Sequence, residues 1–233
     1  MKNPTLIVQT LGLAALSGTT LASIADFETP REGFVGETFV DGGITFSELN
    51  NVSGVNPDGS SFVPGEYGTQ FIVENATLAM NDFPGVLGGV HALSWGNAFI
   101  AGDNLSINIM SSFHMSTGNV ENFATMSLLL FENGPWGGIN IQLDATLDGV
   151  LVGSDSFVLS DLGGRDNLVG KSLTIDGVNF DSLELSARYD DGTYTAFAGL
   201  ADNVTITPTP GSLALLGAGS LFGMRRRRAG RTC

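Results

Sequence analysis

The sequence predicts an all-β domain, an antiparallel β-sandwich of jelly-roll type, set between an N-terminal leader and a short C-terminal hydrophobic helix. Three observations predict it. Glycine is abundant, 32 of 233 residues, while only 15% of residues are charged, a composition suited to short strands and many turns. Several segments alternate apolar and polar residues with the two-residue period of a half-buried strand. No stretch of the middle sustains the 3.6-residue period of a helix.

Taken in chain order, residues 1–25 read as a signal peptide. Lys2 supplies a weak positive start, Leu11–Leu16 an apolar centre, and small residues offer two cleavage patterns, Thr20/Ala22 and Ser23/Ala25. The stretch is too short and too interrupted by Ser and Thr to span a membrane stably. Residues 26–207 form the sandwich. Leu105, Ile107, Ile109 and Phe113 alternate with Ser106, Asn108, Ser112 and His114. Ile139, Ile141, Leu143 and Ala145 alternate with Asn140, Gln142, Asp144 and Thr146. Leu183, Leu185, Ala187 and Tyr189 alternate with Glu184, Ser186, Arg188 and Asp190. Each set gives one face to a core and one to water. The largely apolar run Met126–Phe131 predicts a central strand covered on both faces. Asp148-Gly149, between two strand-like runs, predicts a hairpin, and Asp58-Gly59, Asp176-Gly177 and Asp191-Gly192 predict further turns.

Charge is placed unevenly. Residues 26–207 hold all 24 acids but only Arg31, Arg165, Lys171 and Arg188 as bases, a net charge of −20. Such a surface repels phosphate backbones and excludes nucleic acid as a partner. The single cysteine, Cys233, excludes an internal disulfide and a cysteine metal site.

Residues 208–233 have a distinct order of parts. Pro208-Thr209-Pro210 ends the preceding strand, because proline lacks the N–H. Gly211 follows, then an apolar run from Leu213 to Met224, then Arg225, Arg226, Arg227 and Arg228. The run is about a dozen residues, short of the roughly 20 of an ordinary spanning helix, and the arginines belong on the cytoplasmic side. This order resembles the PEP-CTERM sorting signal of bacterial exosortase substrates, with Thr209 where that pattern carries glutamate. The resemblance covers the last tenth of the chain. It implies export, transient membrane anchoring, cleavage near the proline pair by an exosortase-type enzyme, and release to the cell surface or extracellular matrix.

Candidate chemistry in the middle is sparse. His91 and His114 are the two histidines, there is no reactive thiol, and Ala92-Leu93-Ser94-Trp95-Gly96 lacks the first glycine of a nucleophile elbow. No phosphate loop or dinucleotide fingerprint occurs. Two carboxylates could serve a glycosidase, but 24 acids leave the pair unselected. Asp26 and Glu28, two apart at the start of the domain, and Asp202 near its end could converge if the first and last strands are neighbours. Three carboxylates with backbone carbonyls make a hard oxygen site suited to Ca²⁺. The Asp26-Phe27-Glu28 opening and Asp202-Asn203 closing resemble those of MAM-type and carbohydrate-binding jelly rolls. Tyr67, Trp95, Phe99 and Trp136 could stack on sugar rings if they share an exposed face. Asn51, Asn75, Asn104 and Asn203 begin Asn-x-Ser/Thr triplets. The sequence therefore implies an exported, surface-sorted, non-enzymatic β-sandwich protein of the bacterial envelope or matrix, with extracellular polysaccharide as its ligand. A secreted glycan-active hydrolase is the alternative.

Overall fold

The computed structural model describes residues 21–29, 32–51, 54–55, 61–62, 71–77, 81, 84–95, 110–131, 138–159, 168–195 and 199–208. All of these fall in one compact unit, Leu21–Thr209. The strands are β1 (Ser23–Ala25), β2 (Gly33–Gly36), β3 (Phe39–Asp41), β4 (Ile44–Asn51), β5 (Gly54–Val55), β6 (Ser61–Phe62), β7 (Phe71–Asn75), β8 (His91–Trp95), β9 (Met110–Ser116), β10 (Glu121–Phe131), β11 (Asn140–Leu147), β12 (Val150–Val158), β13 (Leu168–Phe180), β14 (Ser182–Arg188) and β15 (Gly199–Pro208). Among the described residues no helix is long and apolar enough to cross a membrane.

Two antiparallel sheets make the sandwich. The first runs β13-β10-β15-β8-β7-β2, with β1 pairing beside β8 along the rest of β15. The second runs β12-β11-β14-β9-β4-β3, and β5 and β6 pair separately. From β8 onward the pairings nest: β8 with β15, β9 with β14, β10 with β13, β11 with β12. From β8 on, the chain thus folds as a long hairpin wrapped across both sheets, and the separate pairing of β1 with β15 brings the start and end of the domain side by side.

The alternating segments sit as their period requires. Ile139, Ile141, Leu143, Ala145, Leu183, Leu185, Ala187 and Phe113 are buried in the main core. Asn140, Gln142, Glu184 and Arg188 take the opposite face. Ile107, Asn108 and Ile109 lie outside the described residues, as do Asp58-Gly59, the leader up to residue 20 and the tail from Thr209 on. One end of the core is aromatic. Phe39 stacks on Phe46 with centroids 4.8 Å apart, and Phe27, Phe71 and Phe113 surround them edge-on or tilted. The run Met126–Phe131 lies in β10, interior to the first sheet. Met126, Leu128 and Leu130 face the main core, and Leu129 faces a second small core of Ala76, Leu87, Ala92 and Leu200. Both faces of that strand are covered as predicted. Asp148 (φ 51°) and Gly149 (φ 75°) form the expected tight hairpin turn between β11 and β12.

Other details differ from the sequence reading. Asp176-Gly177 lies within β13, where the register against β10 slips between Glu121 and Phe123; it makes an irregularity in a strand, not a turn. Tyr189 does not continue the buried row, because β14 ends at Arg188 and the ring is 52% exposed. His114, the last polar residue of its alternating set, is followed by two more strand residues, Met115 and Ser116 of β9. The sandwich also takes in Ser23–Ala25, which lie on the leader side of the expected boundary at residue 25.

Candidate functional site

The outer face of the second sheet carries a connected polar array. β11 and β14 pair Asn140 with Arg188, Gln142 with Ser186 and Asp144 with Glu184, so strand alternation puts all six on one face. Arg188 organises them. Its Nη2 donates to Glu184 Oε2 (2.9 Å), Tyr194 Oη (3.0 Å) and Asp144 Oδ2 (3.4 Å), and its Nε donates to Ser186 Oγ (3.0 Å). The guanidinium lies 4.5 Å over the Tyr194 ring. The Tyr194 hydroxyl donates to Glu184 Oε1 at 2.8 Å, and burial, then Glu184, push its pKa up. Gln142 Nε2 donates to Asp144 Oδ1 (2.7 Å), and Asn140 Nδ2 donates to Gln142 Oε1 (3.2 Å). Asn140 Oδ1 is buried with no hydrogen-bond partner among the described residues. A turn places Tyr194: Gly192 N bonds Tyr189 O, Asp191 Oδ1 accepts from Thr193 N, and Tyr194 bridges back to Arg188. His114, opposite Glu184 on β9, has Nδ1 3.4 Å from Ser182 Oγ and Nε2 3.8 Å from Glu48 Oε2. This row of amide, carboxylate and guanidinium groups can donate to and accept from hydroxyls at strand spacing.

The second constellation gathers the expected metal residues. β1 and β15 are neighbours, with Ala25 opposite Val204, so Asp26 leaves the sheet beside Asn203. Asp26 and Glu28 do not share a strand face as expected, because β1 ends at Ala25. Phe27 then takes φ 56° and drives its ring into the core. Its N–H donates to buried Asp41 Oδ2 at 2.9 Å, and burial raises the Asp41 pKa. Beyond it, Glu28 Oε1 accepts from the N–H groups of Val90 (2.5 Å) and His91 (2.8 Å). The His91 amide above all holds Glu28 below the usual carboxylate range. Gly89 (φ 64°) makes this clasp possible, since a Cβ there would overlap Glu28 Oε1. Asp202 is fully buried. Its Oδ2 accepts from Gly88 N (2.6 Å) and its Oδ1 from Asn203 N (2.7 Å). Burial, with the charges of Glu28 and Asp26, raises its pKa to about 6. Asp202 thus feels the charges of Glu28 and Asp26, but oxygens of Glu28 and Asp202 are engaged by backbone amides. Among the described residues no three His, Cys, Asp or Glu side chains gather closely enough to hold a metal ion.

A buried acid beside this strap was not legible in the sequence. Glu74 on β7 is 4% exposed, one of its oxygens (Oε2) has no hydrogen-bond partner among the described residues, and its pKa is raised to about 7. Burial is the main cause and Glu32 adds repulsion, while a hydrogen bond with Ser94 opposes both. His91 stands between, with Nδ1 3.4 Å from Glu28 Oε2 and Nε2 3.9 Å from Glu32 Oε2.

No known protein family and no curated protein matches the chain. Solved structures similar to it include the K2 cleaved adhesin domain of Lys-gingipain, at 12% identity and a TM-score of 0.44 over 81% of this chain and 98% of that one. The K1 cleaved adhesin domain of Lys-gingipain from Porphyromonas gingivalis W83 is similar at 10% identity and a TM-score of 0.38, over 81% and 99%. Similarity this low leaves the architecture to be argued from the strand pairings themselves.

Of the remaining sequence candidates, Asn75 Oδ1 accepts from Thr77 N at 3.1 Å. Asn203 takes φ 50°, and its Nδ2 donates to Asp202 Oδ2 at 3.3 Å. Trp95 ends β8, opposite Gly199. Tyr67, Phe99, Asn104 and Trp136, and the sorting residues Thr209, Pro210, Gly211 and Arg225–Arg228, lie outside the described residues. Pro208 is the last residue of β15. The sequence reading missed Tyr194 and the joining of Asp144 to Arg188. Equal parity along β11 and β14 hinted at a shared face, but not that the strands were neighbours.

Proposed function

We propose that this chain is an exported, surface-sorted, non-enzymatic protein of the bacterial envelope or extracellular matrix that binds a neutral polysaccharide. The nested pairing of β8 to β15 supports a jelly-roll reading of the sandwich. The Arg188-centred face is the observation that carries the binding reading. Planar donors and acceptors are fixed there by mutual hydrogen bonds, which keeps the ordering cost of binding small. A net charge of −20 over residues 26–207 disfavours an anionic polymer, so neutral glycans are the fitting class. The test is affinity electrophoresis of the protein through gels containing neutral glucans, mannans or galactans. Retardation is expected in at least one gel, with loss on Arg188→Ala in protein that still unfolds cooperatively. Free migration in every gel would sink the reading.

The raised pKa of Glu74 beside Glu32 is the kind of pair a glycan hydrolase uses, but Glu74 is 4% exposed and a substrate cannot reach it. Calcium at Asp26, Glu28 and Asp202 remains a proposal for the same protein. Its support is the electrostatic field that Asp26 and Glu28 impose on Asp202. A cation there would have to use the lone pairs that the backbone amides leave open.

A further inference from the structure

We infer that the leader is removed by hydrolysis of the Ala22–Ser23 bond, so that Ser23 is the first residue of the mature protein and β1 forms from its N-terminus. The inference rests on the export reading and adds the position of the cut. The sequence offers two sites with small residues at the positions a leader peptidase reads, one ending at Ala22 and one at Ala25. The fold distinguishes them. Leu21 is 83% exposed and Ala22 is exposed, whereas Ala25 is fully buried in the main core. Ser23, Ile24 and Ala25 pair with Ile206, Thr205 and Val204. β8 covers β15 only at Gly199–Ala201, so β1 supplies the partner for the rest of that edge.

The neighbouring hairpin is shaped to β1 as well. Gly42, in the turn between β3 and β4, has φ 54°, and a Cβ on it would overlap the Ile24 carbonyl oxygen. A Cβ on Gly43 would lie 3.2 Å from Ser23 Oγ. Positive φ at both positions suits glycine to the hairpin turn itself, and at Gly42 the missing Cβ also lets the Ile24 carbonyl come close, so the turn fits β1. A cut after Ala25 would expose backbone groups of Val204–Ile206 and open the core beneath them.

The reaction is a simple hydrolysis. Water adds across the Ala22–Ser23 amide, leaving a carboxylate on Ala22 and an ammonium on Ser23. The exporting membrane's peptidase supplies the catalysis, and no redox partner is needed.

The experiment is expression of the full chain in an exporting Gram-negative host, followed by intact mass and N-terminal sequencing of the exported fraction. A start at Ser23 is expected. Ala22→Leu, which puts a bulky residue at the cut, should abolish processing at this position. Ala25→Leu should leave it in place, and because processing is read from the terminus, any loss of folding in that variant does not obscure the result. A start at Asp26, or processing blocked by Ala25→Leu but not by Ala22→Leu, would overturn the inference while leaving export intact. A chain that keeps Met1 and stays in the cytoplasm would overturn both this and the export reading.

Discussion

Replacing Glu74 by glutamine should change the pH dependence of stability by an amount the structure sets. Glu74 titrates at about 7 in the folded protein against an ordinary 4.5, chiefly because it is buried. In the unfolded chain it ionises at its ordinary value. The folded state therefore holds the proton more tightly, and stability falls as pH rises. The loss begins near pH 4.5, proceeds through the interval to 7, and levels off above it. Each tenfold change in proton affinity between the two states is worth about 1.4 kcal/mol, which makes the full effect about 3 kcal/mol. Exposure of only 4% leaves little solvent to screen it.

Glutamine keeps the shape and removes the charge. Urea unfolding of wild type and Glu74→Gln at fixed ionic strength, from about pH 5 to about pH 9, measures the difference directly. Asp202, raised to about 6, slopes the same way in both proteins and drops out of the difference. Whether the new amide hydrogens find partners shifts the whole difference but not its slope. The variant should gain on wild type with rising pH, approaching about 3 kcal/mol above about pH 8. A difference that does not vary with pH would show that Glu74 ionises as an exposed carboxylate does, and the account of its burial would be wrong.

Other outcomes follow from the same geometry. Arg188→Ala leaves Asp144 and Glu184 without their cation on a partly buried face, and should cost about 2–3 kcal/mol in chemical unfolding, less than for a fully buried pair. Tyr194→Phe removes one hydroxyl that both donates and accepts, and should cost about 1–2 kcal/mol by the same measurement. Gly42→Ala combines an unfavourable φ with a clash against Ile24 backbone, and should destabilise by more than the roughly 1–2 kcal/mol that a left-handed residue alone costs, read as a lowered melting temperature. If calcium binds at Asp26, Glu28 and Asp202, it should raise the melting temperature at constant ionic strength, and Asp202→Asn should abolish the response; a melting point indifferent to calcium would end that proposal.

The fold was legible where a local period decided it. Ile141, Leu143, Leu183 and Leu185 could be assigned to the core because a half-buried strand repeats every two residues, whatever its partner. The nearness of Asp26 to Asp202 followed from expecting the first and last strands to be neighbours. What sequence could not supply was the path between strands. Asp26-Phe27-Glu28 has the spacing of a strand face, yet Phe27 turns left-handed because its ring gains more from the Phe39 and Phe46 cluster than from continuing β1. Glu74 was hidden for a similar reason. It follows Phe71, Ile72 and Val73 in an apolar run, and its surroundings depend on Glu32 and Ser94 arriving from distant segments. Asp144, Glu184 and Arg188 were each correctly turned outward, but their network exists only through the register of β11 on β14.

The strap at the domain's start sets two demands against each other. Its carboxylates, together with Asp41, accept from backbone N–H groups: Asp41 from Phe27, Glu28 from Val90 and His91, Asp202 from Gly88 and Asn203. A cation would compete for some of the same lone pairs. Carboxylates have lone pairs to spare, so the two roles exclude one another only where the geometry of the amides fills the site. Asp202 is the deciding residue. It is buried between two amide donors and repelled by Asp26 and Glu28, and it relieves that repulsion either by taking a proton near pH 6 or by sharing a positive ion. These alternatives have opposite consequences on acidification. With protonation alone, the protein gains stability as pH falls through about 6. With a bound cation, acid displaces the ion and stability in saturating calcium falls instead. Unfolding measured between about pH 5 and about pH 8, with calcium and with chelator, separates a proton-neutralised strap from an ion-neutralised one by the difference between the two series, from which the slope of Glu74 cancels: a calcium gain that shrinks on acidification marks the ion, and no difference marks the proton.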